Sequence, residues 1–430
     1  MKSEFIIDSR ITAKFVETYT KTTYRIIGEN KHSSIKPCHW LEQRLLTGRE
    51  NRNCYKGIFG VKSHKCLQNT PSLPFCNHQC AFCWRDIEVG SLGSEFIVKP
   101  DEPKDIVQEM LRHHRDIIKN HLPLRRYLDN YEIMIDLLYY MLRNKDGSHS
   151  LNSLKNGIHV SKNKIERAIN LLKNQHFITL KNNDFIDFEL DDDIRCCIDS
   201  REEIEVLVNR ALTTPDEIMQ AHSEAMTPNH AAISLDGEPL LYPRMSDLVQ
   251  EFKNRSMTTF IVTNGTLPER IMELNPLPSQ LYITLPAPNE QIYKKICRPM
   301  IKHGWDKINE SLELINTLSC RTLIRLTALK NVNINEQYLN DYLELIKKAN
   351  PNFFEIKGFT LQAKAMLIKD RLKSDEPLQY YFPDYKFLED LALKFQDMSG
   401  FPLIYRNQAS RDFLFAVNWD KDKDPKITNV

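Results

Sequence analysis

PFCNHQCAFCWRD, residues 74–86, sets Cys76, Cys80 and Cys83 in a C-x3-C-x2-C loop. The spacing supplies three thiolates and no fourth. An iron–sulfur cube held by three cysteines keeps one iron open, and an amino acid can chelate that iron through its amino and carboxylate groups. A cofactor of this kind carries the hard chemistry, and the protein supplies ligands, orientation and exclusion of side reactions. The structural alternative is a zinc site with His78 as the fourth ligand. Zinc sites more often draw cysteines in pairs two residues apart.

The loop resembles that of the radical S-adenosylmethionine enzymes. The resemblance implies that methionine's amino and carboxylate groups chelate the open iron, and that an electron from the cluster breaks the sulfur–carbon bond to give a 5'-deoxyadenosyl radical. Phe82, before the last cysteine, can then stack near adenine. The loop is silent on the substrate.

Around the loop the chain reads as an α/β protein. PDEPKDIVQEMLRHHRDIIKNHL predicts a helix from about Glu102, with Pro at its start and apolar residues at helical spacing. Farther on, strands are expected in HAAISLDGEP, TTFIVTNGT, LPSQLYITLPAP, TLIRLTAL and FFEIKGF, alternating with helices in MSDLVQEFKNR, WDKINESLELINTL and LNDYLELIKKA. A run of such units predicts a parallel sheet and a full or partial TIM barrel. The expected fold is a partial TIM barrel of the radical S-adenosylmethionine type over 68–121 and 201–415. An N-terminal cysteine-bearing extension over 1–67, with a strand in TTYRIIG, and a polar, frayed tail over 416–430 flank it.

Residues 122–200 break the alternation. DNYEIMIDLLYYMLRN, HSLNSLKNGIHV and SKNKIERAINLLKNQ read as three helices, the last capped by Ser161, and FITLKNNDFIDFEL as a hairpin turning at Asn182–Asp184. Three helices and a two-stranded wing make an inserted winged-helix-like subdomain. Lys162, Lys164, Arg167 and Lys173 on its third helix can face RNA phosphates, or form the solvated face of a structural insertion. Cys196 and Cys197 are adjacent, which makes joint ligation of one metal difficult and a structural role the expectation.

Composition narrows the class. With 58 Lys+Arg against 57 Asp+Glu, the net charge of +1 announces no basic field, so any nucleic-acid contact must be local. Ten cysteines behind a charged N-terminus, MKSEFIIDSR, argue for metal ligation in a reducing cytoplasm. The apolar stretch IMIDLLYYML is interrupted by Asp136 and falls short of the ~18 residues a spanning helix needs, so no membrane is expected.

Upstream, Cys38, Cys54 and Cys66 lie at intervals of sixteen and twelve residues, so six cysteines crowd into 38–83. NCYKGIFGVKSHKC, PFCNHQCAFCWRDIE, HAAISLDGEPLLYP, TTFIVTNGTLPE, LPSQLYITLPAPN, YKKICRPMIKHGW and FFEIKGF together resemble the 4-demethylwyosine synthase family, in its archaeal form without a flavodoxin domain. The likeness spans roughly residues 20–125 and 200–415. It implies a radical lyase of the wybutosine pathway, condensing pyruvate with N1-methylguanosine beside the anticodon of phenylalanine tRNA. The base is expected to be flipped from its stack, and the electron donor to be a separate flavodoxin or ferredoxin.

The resemblance also implies two [4Fe-4S] clusters, on Cys76, Cys80 and Cys83 and on Cys38, Cys54 and Cys66. Lys56 takes the position of the family lysine that holds pyruvate as a Schiff base. Desolvation would lower its pKa from about 10.4 toward neutrality, and a nearby anionic cluster would oppose this. At the barrel mouth, Gly237 and Glu238 are candidates to meet the methionine amino group, and Thr263, Asn264 and Gly265 the ribose. Thr284 and Arg325 can reach ribose, carboxylate or phosphate, and Arg298 and Lys357 can face substrate. Trp84-Arg85-Asp86 looks like a family signature beside the cluster, and Cys297 is read as packing. Pro286, the FTLQAKAM run and the insertion depart from the family pattern. Two other readings stay open: a radical enzyme of another class, such as a glycyl-radical activase, and a non-enzymatic metal-containing winged-helix RNA-binding protein.

Overall fold

The computed structural model describes residues 9–47, 54–88, 91–120, 124–144, 149–174, 177–180, 187–190, 200–211, 215–420 and 422–427. Its strands, in chain order, are β1 (Arg25–Ile27), β2 (Ser33–Ile35), β3 (Cys66–Thr70), β4 (His149–Ser150), β5 (Ile178–Leu180), β6 (Asp187–Leu190) and β7 (His230–Ile233). β8 (Thr258–Thr263), β9 (Gln280–Thr284), β10 (Arg321–Ala328), β11 (Phe353–Gly358), β12 (Leu403–Asn407) and β13 (Asp412–Ala416) complete the set. The chain divides into two compact units, 1–41 with 53–117 and 225–430, and 42–52 with 118–224.

In the first unit β3, β7, β8, β9, β10 and β11 run side by side in parallel. The helices Met245–Lys253, Pro268–Met272, Gly304–Leu314 and Leu339–Ala349 fall between successive strands, as parallel crossovers demand. Residues along each strand alternate between two apolar clusters. Ile233, Ile261, Leu281, Ile283, Ile324, Leu326 and Ile356 join the helix-side core. Ala232, Phe260, Tyr282, Leu323 and Phe353 instead meet Phe59, Val61 and Cys66. The second cluster is the barrel's interior, and the short helical turn Tyr55–Phe59 plugs it, with Phe59 against Phe353 at 5.3 Å between ring centroids.

The expected strands and helices of this unit form, and the boundaries move. β3 begins at Cys66, so the boundary expected at 67 falls inside the first parallel strand, hidden because Cys-Leu-Gln-Asn-Thr is short and polar. β2 pairs antiparallel with β3, and β1 with β2, so much of the supposed extension continues the barrel sheet. β13 and β12 do the same at the β11 edge. The tail is not frayed where described: Trp419 packs on Phe353 at 5.1 Å, and the Ile427 amide donates to the Phe59 carbonyl at 3.0 Å.

The second unit runs helix Leu124–Arg143, β4, helix Leu151–Ile158, helix Lys162–Asn174, β5 and β6, with an antiparallel sheet in the order β4-β6-β5. Its own core joins Leu138, Leu154, Ile169, Leu172 and Ile178. Ile204 and Val208 of helix Arg201–Ala211 complete it, so the unit continues past the boundary expected at 200. HSLNSLKNGIHV is not all helix, since His149–Ser150 pair as β4 and Ser150 caps the helix Leu151–Ile158 by accepting from the Ser153 amide at 3.1 Å. The expected turn at Asn182–Asp184 and Cys196–Cys197 lie outside the described residues. Among the described residues no helix is long and apolar enough to cross a membrane.

Separate cores predict separate responses. Leu172→Ala, at a fully buried position, should destabilise the second unit by about 2–5 kcal/mol. Amide exchange read by mass spectrometry should then speed up in helices Leu124–Arg143 and Lys162–Asn174, while β7–β11 keep their protection.

Candidate functional site

The cysteine loop follows β3 and is pinned largely through its backbone. The Cys76 amide donates to Gly93 at 3.0 Å, and the Gln79 and Ala81 amides donate to the Cys297 and Ile296 carbonyls at 3.0 and 2.7 Å. Arg371 clamps the far side. Its guanidinium donates to the Cys83 carbonyl and, at 3.1 Å, to the Arg85 carbonyl, and it pairs with Glu88 at 2.9 Å. Arg298, expected to face substrate, donates Nε to the Gln79 carbonyl at 2.7 Å and so braces the same loop.

Burial pushes the Cys76 thiol up to about 12 and the Cys83 thiol up to about 11. Cys80 is also raised, first by a hydrogen bond with Cys297 and then by burial. Arg85 lowers all three and does not cancel the rise, so the thiols stay protonated at neutral pH. Arg85, 2% exposed, lies within their electric field, and none of its three guanidinium nitrogens has a hydrogen-bond partner among the described residues. Asp236 is near enough to be felt but does not bond it; its Oδ2 accepts from Tyr24 at 2.7 Å, and burial raises it to about 6. A buried guanidinium without acceptors fits a site built for an anion, and three thiolates carrying an iron–sulfur cluster supply one.

Zinc fits less well. The His78, Cys80 and Cys297 ligand atoms lie within 4.8 Å of one another, a trio among the described residues, but His78 Nε2 already meets Tyr293 Oη at 2.7 Å. Cys297 is buried, with its sulfur within 4.8 Å of that of Cys80.

Beside the loop, the segment that follows β7 carries Asp236-Gly237-Glu238. Gly237 has φ +76°, and a Cβ there would fall 2.0 Å from the Ser72 carbonyl and 2.7 Å from that of Phe75. Only glycine allows that approach. The Glu238 amide donates to the Phe75 carbonyl at 2.8 Å. Its carboxylate accepts from Thr263 Oγ1 at 2.6 Å, the Asn264 amide at 2.8 Å and the Leu240 amide at 3.1 Å. Burial raises Glu238 to about 7 against those three donors. The Glu238 side chain therefore ties the β7 and β8 ends together. Asn264 Nδ2 donates to Asn77 Oδ1 at 2.6 Å, which couples the β8 end to the cysteine loop. Gly265 turns with φ +74°, and Thr284 closes β9 beside Arg325 in register.

Inside the barrel lies a second constellation. Lys56 is 4% exposed and donates Nζ to Tyr55 Oη at 2.6 Å. Its ammonium also lies 5.7 Å from the Tyr282 ring and 5.9 Å from the Phe260 ring. Burial, the largest influence, lowers its pKa, but Tyr55, Cys54 and Cys66 outweigh it and the net shift is upward. Desolvation therefore does not prevail at this lysine. Cys38 is pushed up to about 11 by burial and then by Cys54, and Cys66 is raised by burial although Lys56 opposes it. Three thiols that feel one another and a buried cation fit a second three-thiolate site.

Arg325 and Lys357, expected near substrate, meet Lys56 around one ring. The Arg325 guanidinium sits 4.0 Å from the Tyr55 centroid and the Lys357 ammonium 4.9 Å. Arg325 Nε pairs with Glu355 at 2.7 Å, and Lys357 Nζ with Asp412 at 2.7 Å. Sequence reasoning misses Tyr55, Tyr282, Glu355, Asp412 and Arg371. Tyr55 has a signal, its place between Cys54 and Lys56; the others look like ordinary strand or helix residues.

Residues 196–346 match the family model of the Radical SAM superfamily, a stretch that begins after the cysteine loop. The S-adenosyl-L-methionine-dependent tRNA 4-demethylwyosine synthase of Pyrococcus horikoshii is 34% identical over 347 residues, covering 80% of this chain and 73% of that protein. Its counterpart in Pyrococcus abyssi is 34% identical over 345 residues, covering 79% and 72%. Among solved structures, TYW1 with a lysine-pyruvate adduct bound aligns over 99% of this chain and 100% of its own, with TM-score 0.61 and 22% identity, a likeness of fold.

The close approach at Gly237 yields a test. Gly237→Ala should force the segment after β7 away from Ser72 and Phe75, and iron bound per chain after anaerobic reconstitution should fall by about half, the share of the Cys76–Cys83 set. Wild-type iron loading would mean the contact is dispensable.

Proposed function

The chain belongs to the S-adenosyl-L-methionine-dependent tRNA 4-demethylwyosine synthases, and on that premise we propose that it is a radical lyase condensing pyruvate with N1-methylguanosine beside the anticodon of phenylalanine tRNA. The observation that carries the reading is Lys56, buried in the barrel among the Cys54 and Cys66 thiols and the Arg325 guanidinium. A surface lysine would have none of these neighbours.

Cys76, Cys80 and Cys83 would hold one [4Fe-4S] cluster, and Cys38, Cys54 and Cys66 a second. When bound, the first cluster and S-adenosylmethionine supply a 5'-deoxyadenosyl radical able to take hydrogen from the N1-methyl group, with electrons from a separate flavodoxin or ferredoxin.

The chain's own residues orient and hold. Glu238 and Asn264 fix the β7 and β8 ends against the cysteine loop, so Gly237, Thr263, Gly265 and Thr284 form the edge on which the cofactor would lie, with backbone groups in place of the Glu238 carboxylate meeting the methionine amine. Arg85 is positioned to donate to whatever anion the loop carries. Lys56, held against Tyr55 Oη at 2.6 Å, must lose a proton before it adds to the keto carbon of pyruvate, and the keto oxygen takes that proton up as it leaves. Addition forms the carbon–nitrogen bond, and water leaves with the keto oxygen.

The second unit's order of elements, helix–strand–helix–helix–strand–strand with β6 between β4 and β5, supports the winged-helix reading of the insertion. Its helix Lys162–Asn174 carries Lys162, Lys164, Arg167 and Lys173, which we assign to phosphates of the tRNA.

Two substitutions separate the two cysteine sets. Cys80→Ala should abolish both 5'-deoxyadenosine formation and base conversion. Cys66→Ala should keep 5'-deoxyadenosine formation and lose base conversion, both read by mass analysis of the same reaction. Full base conversion in Cys66→Ala would overturn the two-site reading.

A further inference from the structure

Arg325 lies in the barrel lumen with a donor to spare. It is 8% exposed; Nε donates to Glu355 Oε2 at 2.7 Å and Nη1 to Tyr55 Oη at 3.1 Å. Its Nη2 is buried and has no hydrogen-bond partner among the described residues. Tyr282 Oη is in the same condition, and the Arg325 guanidinium sits 5.0 Å from the Tyr282 ring centroid. A charged donor left unpaired in a barrel interior is costly, so the working site should bring it an acceptor.

The position of these donors limits what the acceptor can be. Lys56 Nζ and Arg325 Nη1 both donate to Tyr55 Oη, at 2.6 and 3.1 Å, and both cations lie against the Tyr55 and Tyr282 rings. The amine and the guanidinium are therefore within one small molecule of each other. In a 2-oxo acid the electrophilic carbon is directly bonded to the carboxylate carbon, so such a molecule can offer a ketone to Lys56 and an anion to Arg325 together. Glu355 and Tyr55 hold two guanidinium nitrogens fixed, so Nη2 is aimed before the ligand arrives.

We propose that Arg325 Nη2 and Tyr282 Oη form the carboxylate-binding half of this site, selecting a small 2-oxo acid over a neutral ketone of the same shape. The proposal rests on the reading that Lys56 holds the keto carbon. Arg325 then does two jobs: it neutralises Glu355, and it sets which carbonyl compounds reach the lysine.

The test traps the lysine adduct with cyanoborohydride in anaerobically reconstituted holoenzyme and reads it at the Lys56 peptide by mass, with pyruvate or with pyruvamide, its neutral isostere. Arg325→Lys keeps a cation for Glu355 but has one nitrogen in place of a fork. Because an unpaired Glu355 can impair folding, Arg325→Met combined with Glu355→Gln removes both charges. Wild type should need about tenfold less pyruvate than pyruvamide for half-maximal trapping, and both variants should raise the pyruvate requirement about tenfold or more. Both should also lose the discrimination between the two ligands. Variants that keep the wild-type requirement and discrimination overturn the proposal. If wild type gives no adduct at Lys56, that reading of the lysine fails separately, and equilibrium dialysis with radiolabelled pyruvate decides Arg325. Retention by wild type and loss in Arg325→Lys sustain the site, and equal retention overturns it.

Discussion

Buried positive charge without matching acceptors is the constraint on which this barrel's chemistry depends. Among the described residues, Arg85 has no hydrogen-bond partner for its three guanidinium nitrogens at 2% exposure, and Arg325, its charge already met by Glu355, has one nitrogen to spare. Moving such a group out of water costs several kcal/mol unless an anion meets it. Each lies within the field of cysteine thiols or tyrosines that burial holds in their neutral forms. In the proposed reaction, anions brought by cofactor and substrate would supply acceptors for both. Arg85 stands two residues beyond Cys83, and Arg325 stands across Tyr55 from Lys56, so the unpaired donors mark two separate places in this unit.

The rest of the fold keeps those places apart and fixed. Six parallel strands present one set of side chains to the helices and the other to the interior. The turn Tyr55–Phe59 fills the interior and carries Lys56 in with it. The loop after β3 receives Cys76–Cys83, and Arg371, Arg298, Asn77 and Glu238 tie it down through backbone carbonyls and neighbouring strand ends. Of the three thiols, Cys80 reaches outside the loop, through a hydrogen bond to Cys297 of the helix Glu290–Cys297.

Much of this was legible in the sequence because the informative residues are contiguous. The C-x3-C-x2-C loop, Cys54-Tyr55-Lys56 and the strand-ending Gly237-Glu238 and Asn264-Gly265 each announce themselves over a few positions. What stayed hidden is assembled across the barrel. β3 escaped notice because its five residues are polar and its first is a cysteine already assigned as a ligand. Glu238 looked like a ligand-facing acid, yet its three donors come from Thr263, Asn264 and Leu240, a convergence that only the folded strand ends create. Arg371 sits nearly three hundred residues from the carbonyls it holds. Tyr282 and Phe260 read as core strand residues, which they are; that their rings also frame a buried amine depends on which face of the sheet curls inward.

The central claim is that one barrel joins a radical-generating loop to a pyruvate site at Lys56. The most direct measurement incubates the reduced holoenzyme with S-adenosylmethionine, phenylalanine tRNA carrying N1-methylguanosine, and pyruvate labelled with carbon-13 either uniformly or at the carboxyl carbon alone, followed by nucleoside mass analysis. Because the proposed condensation expels the carboxyl carbon of pyruvate as the ring closes, the modified base should gain label from uniformly labelled pyruvate and none from the carboxyl-labelled form, and tRNA lacking the N1-methyl group should gain none from either. A modified base without pyruvate carbon, or label entering unmethylated tRNA, would contradict it.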